Sequence, residues 1–113
     1  MQVLSLRYSV VDTQAPSMID FFTAVGLPIK DTGESSSGQV FLAGDSWLEI
    51  WQSTSEMPEG TMLQIVVDDA DAFAELATSN GLEPQGPFSA HGEKIYFLQA
   101  PSGLNVTIQS ADC

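Results

Sequence analysis

A chain of 113 residues, 43% hydrophobic and 16% charged, is long enough to bury one core and too apolar to stay disordered. Fifteen acidic against three basic side chains give a formal charge of −12, which repels phosphate backbones and anionic lipid and so excludes nucleic acid and membrane surfaces as partners. No apolar run approaches the roughly 20 residues that span a bilayer, and the start Met-Gln-Val-Leu-Ser-Leu-Arg-Tyr has no basic, apolar leader, so the expected setting is the cytoplasm.

Residues 2–11 alternate, with Leu4, Leu6, Tyr8 and Val10 on one face and Ser5, Arg7 and Ser9 on the other, the period of a half-buried strand. Asp12 to Pro16 supplies cap residues and a proline tolerated in a first helical turn. Met18, Phe21, Phe22 and Val25 follow at helical spacing as a core stripe, and Gly26 with Pro28 ends the helix. The polar residues 30–38 suit a short strand and a loop. Gln39–Ala43 and Ser46–Gln52 read as strands around a Gly44-Asp45 turn, and residues 53–60, with Pro58 and Gly60, read as a linker.

The second half repeats the first. Met62–Val67 reads as a strand, Asp68 to Asp71 as an acidic cap, and Phe73, Leu76 and Ala77 as the buried stripe of a helix closed by Asn80-Gly81. Strands follow at about 82–88, 94–99 and 103–109. Asp12 matches Asp68 at an offset of 56, Gly26 matches Gly81 at 55, and Ile50 matches Ile108 at 58. The predicted fold is therefore α+β, a single domain of two tandem βαβββ modules, residues 1–53 and 61–113 joined by a linker at 54–60. Its sheets would form an incomplete, barrel-like cup with helices outside. Each module would expose a face that only its sister or a partner chain covers, so a homodimer is expected.

On such a plan Leu4, Leu6, Leu48, Ile50, Leu63, Ile65, Val106 and Ile108 meet the helices. The groove receives Ser5, Arg7, Ser9, Trp47, Glu49, Trp51, Met62, Gln64, Asn105, Thr107 and Gln109, joined by Tyr96 or Phe97. Two indoles flanking one carboxylate on Trp47-Leu48-Glu49-Ile50-Trp51 suggest a ligand surface with stacking walls and a counter-charge, fit for a flat, possibly cationic organic molecule. Filling of the groove by those rings is the structural alternative. His91 falls in a Gly-flanked turn, a solvated position, and Cys113 allows no intramolecular disulfide. Asn105-Val106-Thr107 matches a glycosylation sequon inside a strand, a chance match.

The paired modules, the helix Ile-Asp-Phe-Phe-Thr-Ala-Val-Gly-Leu, the strand Trp-Leu-Glu-Ile, the helix start Val-Asp-Asp-Ala-Asp-Ala-Phe and the turn Ala-Pro-Ser-Gly-Leu together resemble the vicinal oxygen chelate superfamily. That group includes glyoxalase I, bleomycin-resistance proteins and extradiol dioxygenases. The resemblance covers the whole chain through the order and spacing of these motifs. It implies fold more than chemistry. Metal-dependent members take four groove-facing ligands, His or Gln and Glu from each module. Those positions fall here on Ser5 (or Arg7), Glu49, Met62 and Thr107, with Gln64 two residues off, and only Glu49 keeps the family's residue.

No metal and no cofactor are therefore expected. The resemblance then implies a metal-free protein that binds or sequesters a small aromatic or cationic molecule, as antibiotic-resistance members do. The alternative is a lyase, isomerase or dioxygenase-type enzyme with Glu49 as base or residual metal ligand and Arg7 orienting an anion. An internal Arg7–Glu49 ion pair is the simpler role for those two residues.

Overall fold

Described residues 1–30 and 38–111 of the chain, seen in a computed structural model, form seven strands and two helices. In order these are β1 (Val3–Asp12), α1 (Ala15–Val25), β2 (Gly38–Ala43), β3 (Ser46–Gln52), β4 (Gly60–Val67), α2 (Ala70–Ser79), β5 (Gln85–Ala90), β6 (Glu93–Gln99) and β7 (Asn105–Ala111). The architecture is α+β, with parallel and antiparallel strand pairs. Most of the predicted polar strand and loop at 30–38, and Cys113, lie outside the described residues. The chain divides into two compact units, residues 7–61 and residues 62–113 together with 1–6.

In residues 7–61 the strand order is β2-β3-β1, with β1 parallel and β2 antiparallel to β3. The crossover from β1 to β3 carries α1, as a parallel pair requires. Asp12 Oδ1 accepts the Gln14 N–H at 2.8 Å, closing the turn into the helix, and Pro16 sits in the first turn, where a missing N–H costs nothing. At the other end Gly26 takes φ +105°, and the N–H groups of Gly26 and Leu27 cap Thr23 and Phe22. The helix lays Ala15, Met18, Ile19 and Phe22 on Phe41, Ile50, Val10 and Leu48. Those four occupy one face at the i, i+3, i+4, i+7 spacing. The predicted stripe is thus corrected: Phe21, 61% exposed, and Val25 lie off that face.

In residues 62–113 the order is β4-β7-β6-β5, with β4 parallel to β7 and the rest antiparallel. Asp69 caps α2 by accepting the Ala72 N–H at 3.2 Å, and the buried Ala70 N–H donates to Ser110 Oγ at 3.0 Å. Both bonds satisfy donors that a helix start leaves orphaned. Val67, Ala70 and Ile108 form the core, with Ile65, Phe73, Tyr96 and Leu98 around it. Of the predicted stripe Phe73 packs on this core, whereas Leu76 is 48% exposed and the buried position beside it is Ala74.

Leu4 and Leu6, expected beneath a helix, are 51% and 43% exposed, because α2 packs chiefly against β6 and β7. β5 begins at Gln85 rather than 82, since Leu82 still donates its N–H to Ala77 at the close of the helix. β7 begins at Asn105 rather than 103, since residues 100–104 are used in a turn with Gly103 at φ +93°.

Candidate functional site

Within residues 7–61 the parallel register of β1 and β3 sets Arg7 beside Trp47 and Ser9 beside Glu49. Neighbouring residues on paired strands share a face, so the Arg7 guanidinium reaches the indole, its Cζ 4.0 Å from the ring centroid. Lys30 arrives at the same ring, with Nζ 4.5 Å from the centroid. Main-chain bonds from Lys30 N–H to Val40 O (2.9 Å) and from Leu42 N–H to Pro28 O (2.8 Å) hold it there. These bonds flank an isolated bridge between Ile29 and Phe41, just before the predicted polar segment 30–38. Each cation–ring contact contributes about 0.5–1 kcal/mol at a partly exposed site.

Glu49 and Trp51 are tied to one another, the indole Nε1–H donating to Glu49 Oε1 at 3.1 Å. The Trp51 ring lies on the main chain of β2. A Cβ added at Gly38, its partner in register, would come 2.3 Å from Trp51 Cε3 and 2.4 Å from the Ile50 carbonyl oxygen. Gly38 is therefore the bed on which the indole rests, and the two indoles are half-buried.

This arrangement bears on the expected role of Trp47. A wall for stacking an outside cation would need its π face available to that cation, but two of the chain's three basic residues already lie against it. In a chain of charge −12 those cations find the ring at low desolvation cost, since an indole face asks for no salt-bridge geometry.

Within the other unit, Gln64 and Thr107 are neighbours on β4 and β7, with Met62 opposite Asn105, and Ser5 is half-buried on β1. Thr107, expected to line a groove, is only 2% exposed and donates its hydroxyl proton to Gln109 Oε1 at 2.7 Å. Gln109 Nε2 in turn donates to Glu93 Oε1 at 3.1 Å. The chain of three completes a buried polar row, so Thr107 works as an internal partner.

Tyr96 also departs from expectation. Successive residues of a strand point to opposite faces, and Tyr96 points toward α2 among Ile108 and Phe73, leaving Phe97 to the other face. Its hydroxyl donates to Asp71 Oδ1 on α2, and Lys94 Nζ reaches Asp71 Oδ2 at 2.7 Å. Lys94 first, and Tyr96 second, hold the Asp71 carboxyl below its usual range. The same bond to Asp71 pushes the Tyr96 phenol upward. Asp71, Glu75, Thr78, Ser79, Pro84 and Tyr96 line a shallow cleft of about 600 Å³ along this seam. His91 is exposed in the β5–β6 turn at φ +52°, followed by Gly92 at φ +76°.

The family's metal chemistry finds no fitting donor set. Met62 offers a thioether, Thr107 is buried and its proton engaged, Ser5 is a neutral hydroxyl, and Glu49 is bonded to an indole. Among the described residues no three His, Cys, Asp or Glu side chains gather closely enough to hold an ion.

Sequence motifs pointed to the Trp47–Trp51 strand and to Arg7. They missed Lys30, whose place depends on the bridge between Ile29 and Phe41, and the Asp71–Lys94–Tyr96 contact between α2 and β6. Alternation in Lys94-Ile95-Tyr96-Phe97 offers an aromatic to either face, so it carried no signal for which one turns inward.

No protein-family model matches the chain, and no curated protein matches it. Solved structures do. Methylmalonyl-CoA epimerase from Mycobacterium tuberculosis superposes with a TM-score of 0.70 at 13% identity, covering 96% of this chain and 89% of its own. A glyoxalase/bleomycin resistance protein/dioxygenase superfamily member from Vibrio splendidus 12B01 gives 0.66 at 12% identity, covering 96% and 99%. A protein described as an NAD-dependent benzaldehyde dehydrogenase from Legionella pneumophila gives 0.65 at 12% identity, covering 94% and 98%. Likeness at this identity speaks for architecture, and the different activities named for the first and the third show that the architecture does not select a reaction. The chain has the fold of the vicinal oxygen chelate proteins.

Proposed function

We propose that the chain is a metal-free, small-molecule-binding protein of the glyoxalase/bleomycin-resistance kind, made of two βαβββ modules and acting in the cytoplasm as a homodimer. Its ligand is a small aromatic molecule held against the β3 face of Trp47, Glu49 and Trp51. The observation that carries this reading is the setting of Glu49, the one family-type acid retained. It is hydrogen-bonded to the Trp51 indole in a half-buried aromatic row, with no cluster of three His, Cys, Asp or Glu side chains among the described residues. A carboxylate so held matches charge or orients a donor; it does not complete a coordination shell.

Trp51, flat on Gly38, serves as the stacking surface. Arg7 and Lys30, brought together on Trp47, give one edge of that surface a positive character that suits the negative end of a polarised ligand. A cationic group on the ligand has Glu49 as its partner on this face.

Tryptophan emission tests the reading, because Trp47 and Trp51 are the only tryptophans in the chain. Titration with planar aromatic compounds is expected to give a saturable change in intensity or wavelength that Trp51→Phe removes. A flat response across a chemically diverse panel would refute it. Loading with zinc, nickel or iron followed by desalting is expected to leave far less than one ion per chain, and stoichiometric retention would overturn the metal-free assignment.

A further inference from the structure

We infer that residues 62–113 carry a separate subsite for an aromatic ring bearing N–H donors, of the aryl amine or aryl amidine class. A cleft of about 380 Å³ is lined by Met62, Glu83, Gln85, Phe97, Gln99 and Asn105. That volume falls in the lower part of the range, roughly 300–1,000 Å³, typical of small-molecule sites. Phe97 and Met62 supply the apolar lining. Phe88 meets Phe97 edge-on at 5.5 Å and 64°, which restrains the ring that a ligand would contact.

The polar lining is three carboxamides, of Gln85, Gln99 and Asn105, and one acid, Glu83. Gln85 Nε2 donates to the Glu83 carbonyl at 3.2 Å, and Gln99 Nε2 donates to the Gly103 carbonyl at 3.3 Å. Each amide keeps its oxygen and a second N–H, Asn105 adds another carboxamide, and Glu83 adds the one carboxylate, an acceptor without a donor. Among the described residues that line the cleft none is basic. Acceptors around an aromatic face, in a chain of charge −12, complement a flat donor-rich or positively charged ring and repel a carboxylate.

The inference deepens the binding reading above and rests on it only in taking the ligand to be small and aromatic. It adds a second seat for a positive group, in the neighbourhood of Phe97, to the one beside Glu49 on β3.

Benzamidine is the probe, added to the full chain labelled with ¹³C-methyl methionine, with the Met62 resonance assigned through Met62→Leu. The expected result is a saturable shift of the Met62 methyl with benzamidine and none with benzoate at the same concentration. Phe97→Leu should weaken binding by about tenfold, the loss of one aromatic contact. Glu83→Lys, at an exposed loop position, should weaken it at least as much while the amide spectrum stays native. A silent Met62, an equal response to benzoate, or unchanged binding in a folded Glu83→Lys chain would each overturn the subsite. The indole N–H resonances separate the two claims in the same titration. Indoles that shift while Met62 does not would sink this subsite and leave the β3 reading standing. Met62 shifting over silent indoles would support the subsite and count against β3.

Discussion

Residues 7–61 lay their two cations, Arg7 and Lys30, against an indole, whereas residues 62–113 lay Lys94 on a carboxylate. The consequence differs in kind. On β3 two of the chain's own cations already lie against the Trp47 ring, where an outside positive group would have to compete with them. On β6, Lys94 and Tyr96 both turn to Asp71 and pin α2, and the opposite face keeps Phe97 exposed beside acceptor groups. In a strongly acidic chain with three bases, the few cations decide which aromatic surface can receive a cation from outside.

The largest effects should come from the two cores. Phe41→Ala in residues 7–61 removes a fully buried ring and should cost about 3–5 kcal/mol in urea unfolding, against about 2 kcal/mol for Val67→Ala in residues 62–113. Similar losses at both positions would erase that difference between the cores. Gly38→Ala is next. Its Cβ would collide with both the Trp51 ring and the Ile50 carbonyl, so a loss of about 1–3 kcal/mol and a red-shifted tryptophan emission are expected. Wild-type emission from a folded Gly38→Ala chain would show that the indole does not depend on that bed.

A smaller effect sharpens the contrast between the cations. Lys30→Met should cost about 0.5–1 kcal/mol and alter Trp47 emission, because the ring loses a cation but keeps an apolar neighbour. The carboxylate contact should instead reveal itself through pH. Asp71 is held below its ordinary 3.8, so its stabilisation is present above that value and fades as pH falls through the lower native one. Tyr96 is raised above 10.0, so its contribution is present below pH 10 and fades as pH rises through the higher native value. Asp71→Asn should therefore flatten both limbs of a plot of Tm against pH. The acid limb should persist in part, since Asp68 is also lowered, chiefly by the Gln2 N–H. Unchanged limbs in Asp71→Asn would show that the pin adds nothing to stability.

Local chemistry was legible where it was local. Gly26 and Gly81 were read as helix ends 55 residues apart, and both adopt positive φ, +105° and +91°, with N–H bonds to Thr23 and Thr78. The Gly44-Asp45 hairpin and the acidic cap at Asp69 were equally readable, because each depends on residues within one turn. Which residues of a helix or strand turn inward was not. α1 carries apolar side chains on more than one face, so Phe21 looked as suitable for the core as Ile19. Tyr96 and Phe97 are both aromatic, and a strand must send one each way.

The sequence alone determined the order of the elements, the ends of the two helices, and the aromatic and acidic content of β3, since these follow from propensity, capping and periodicity over a few residues. Only the tertiary structure decided what those groups touch. Arg7, Lys30 and Trp47 lie far apart along the chain, and they meet because β1 runs parallel to β3 while residues 28–30 bridge onto β2. Pairings between distant segments leave no local periodic trace. The difference between an indole that already has two cations against it and an exposed Phe97 is therefore a property of the fold.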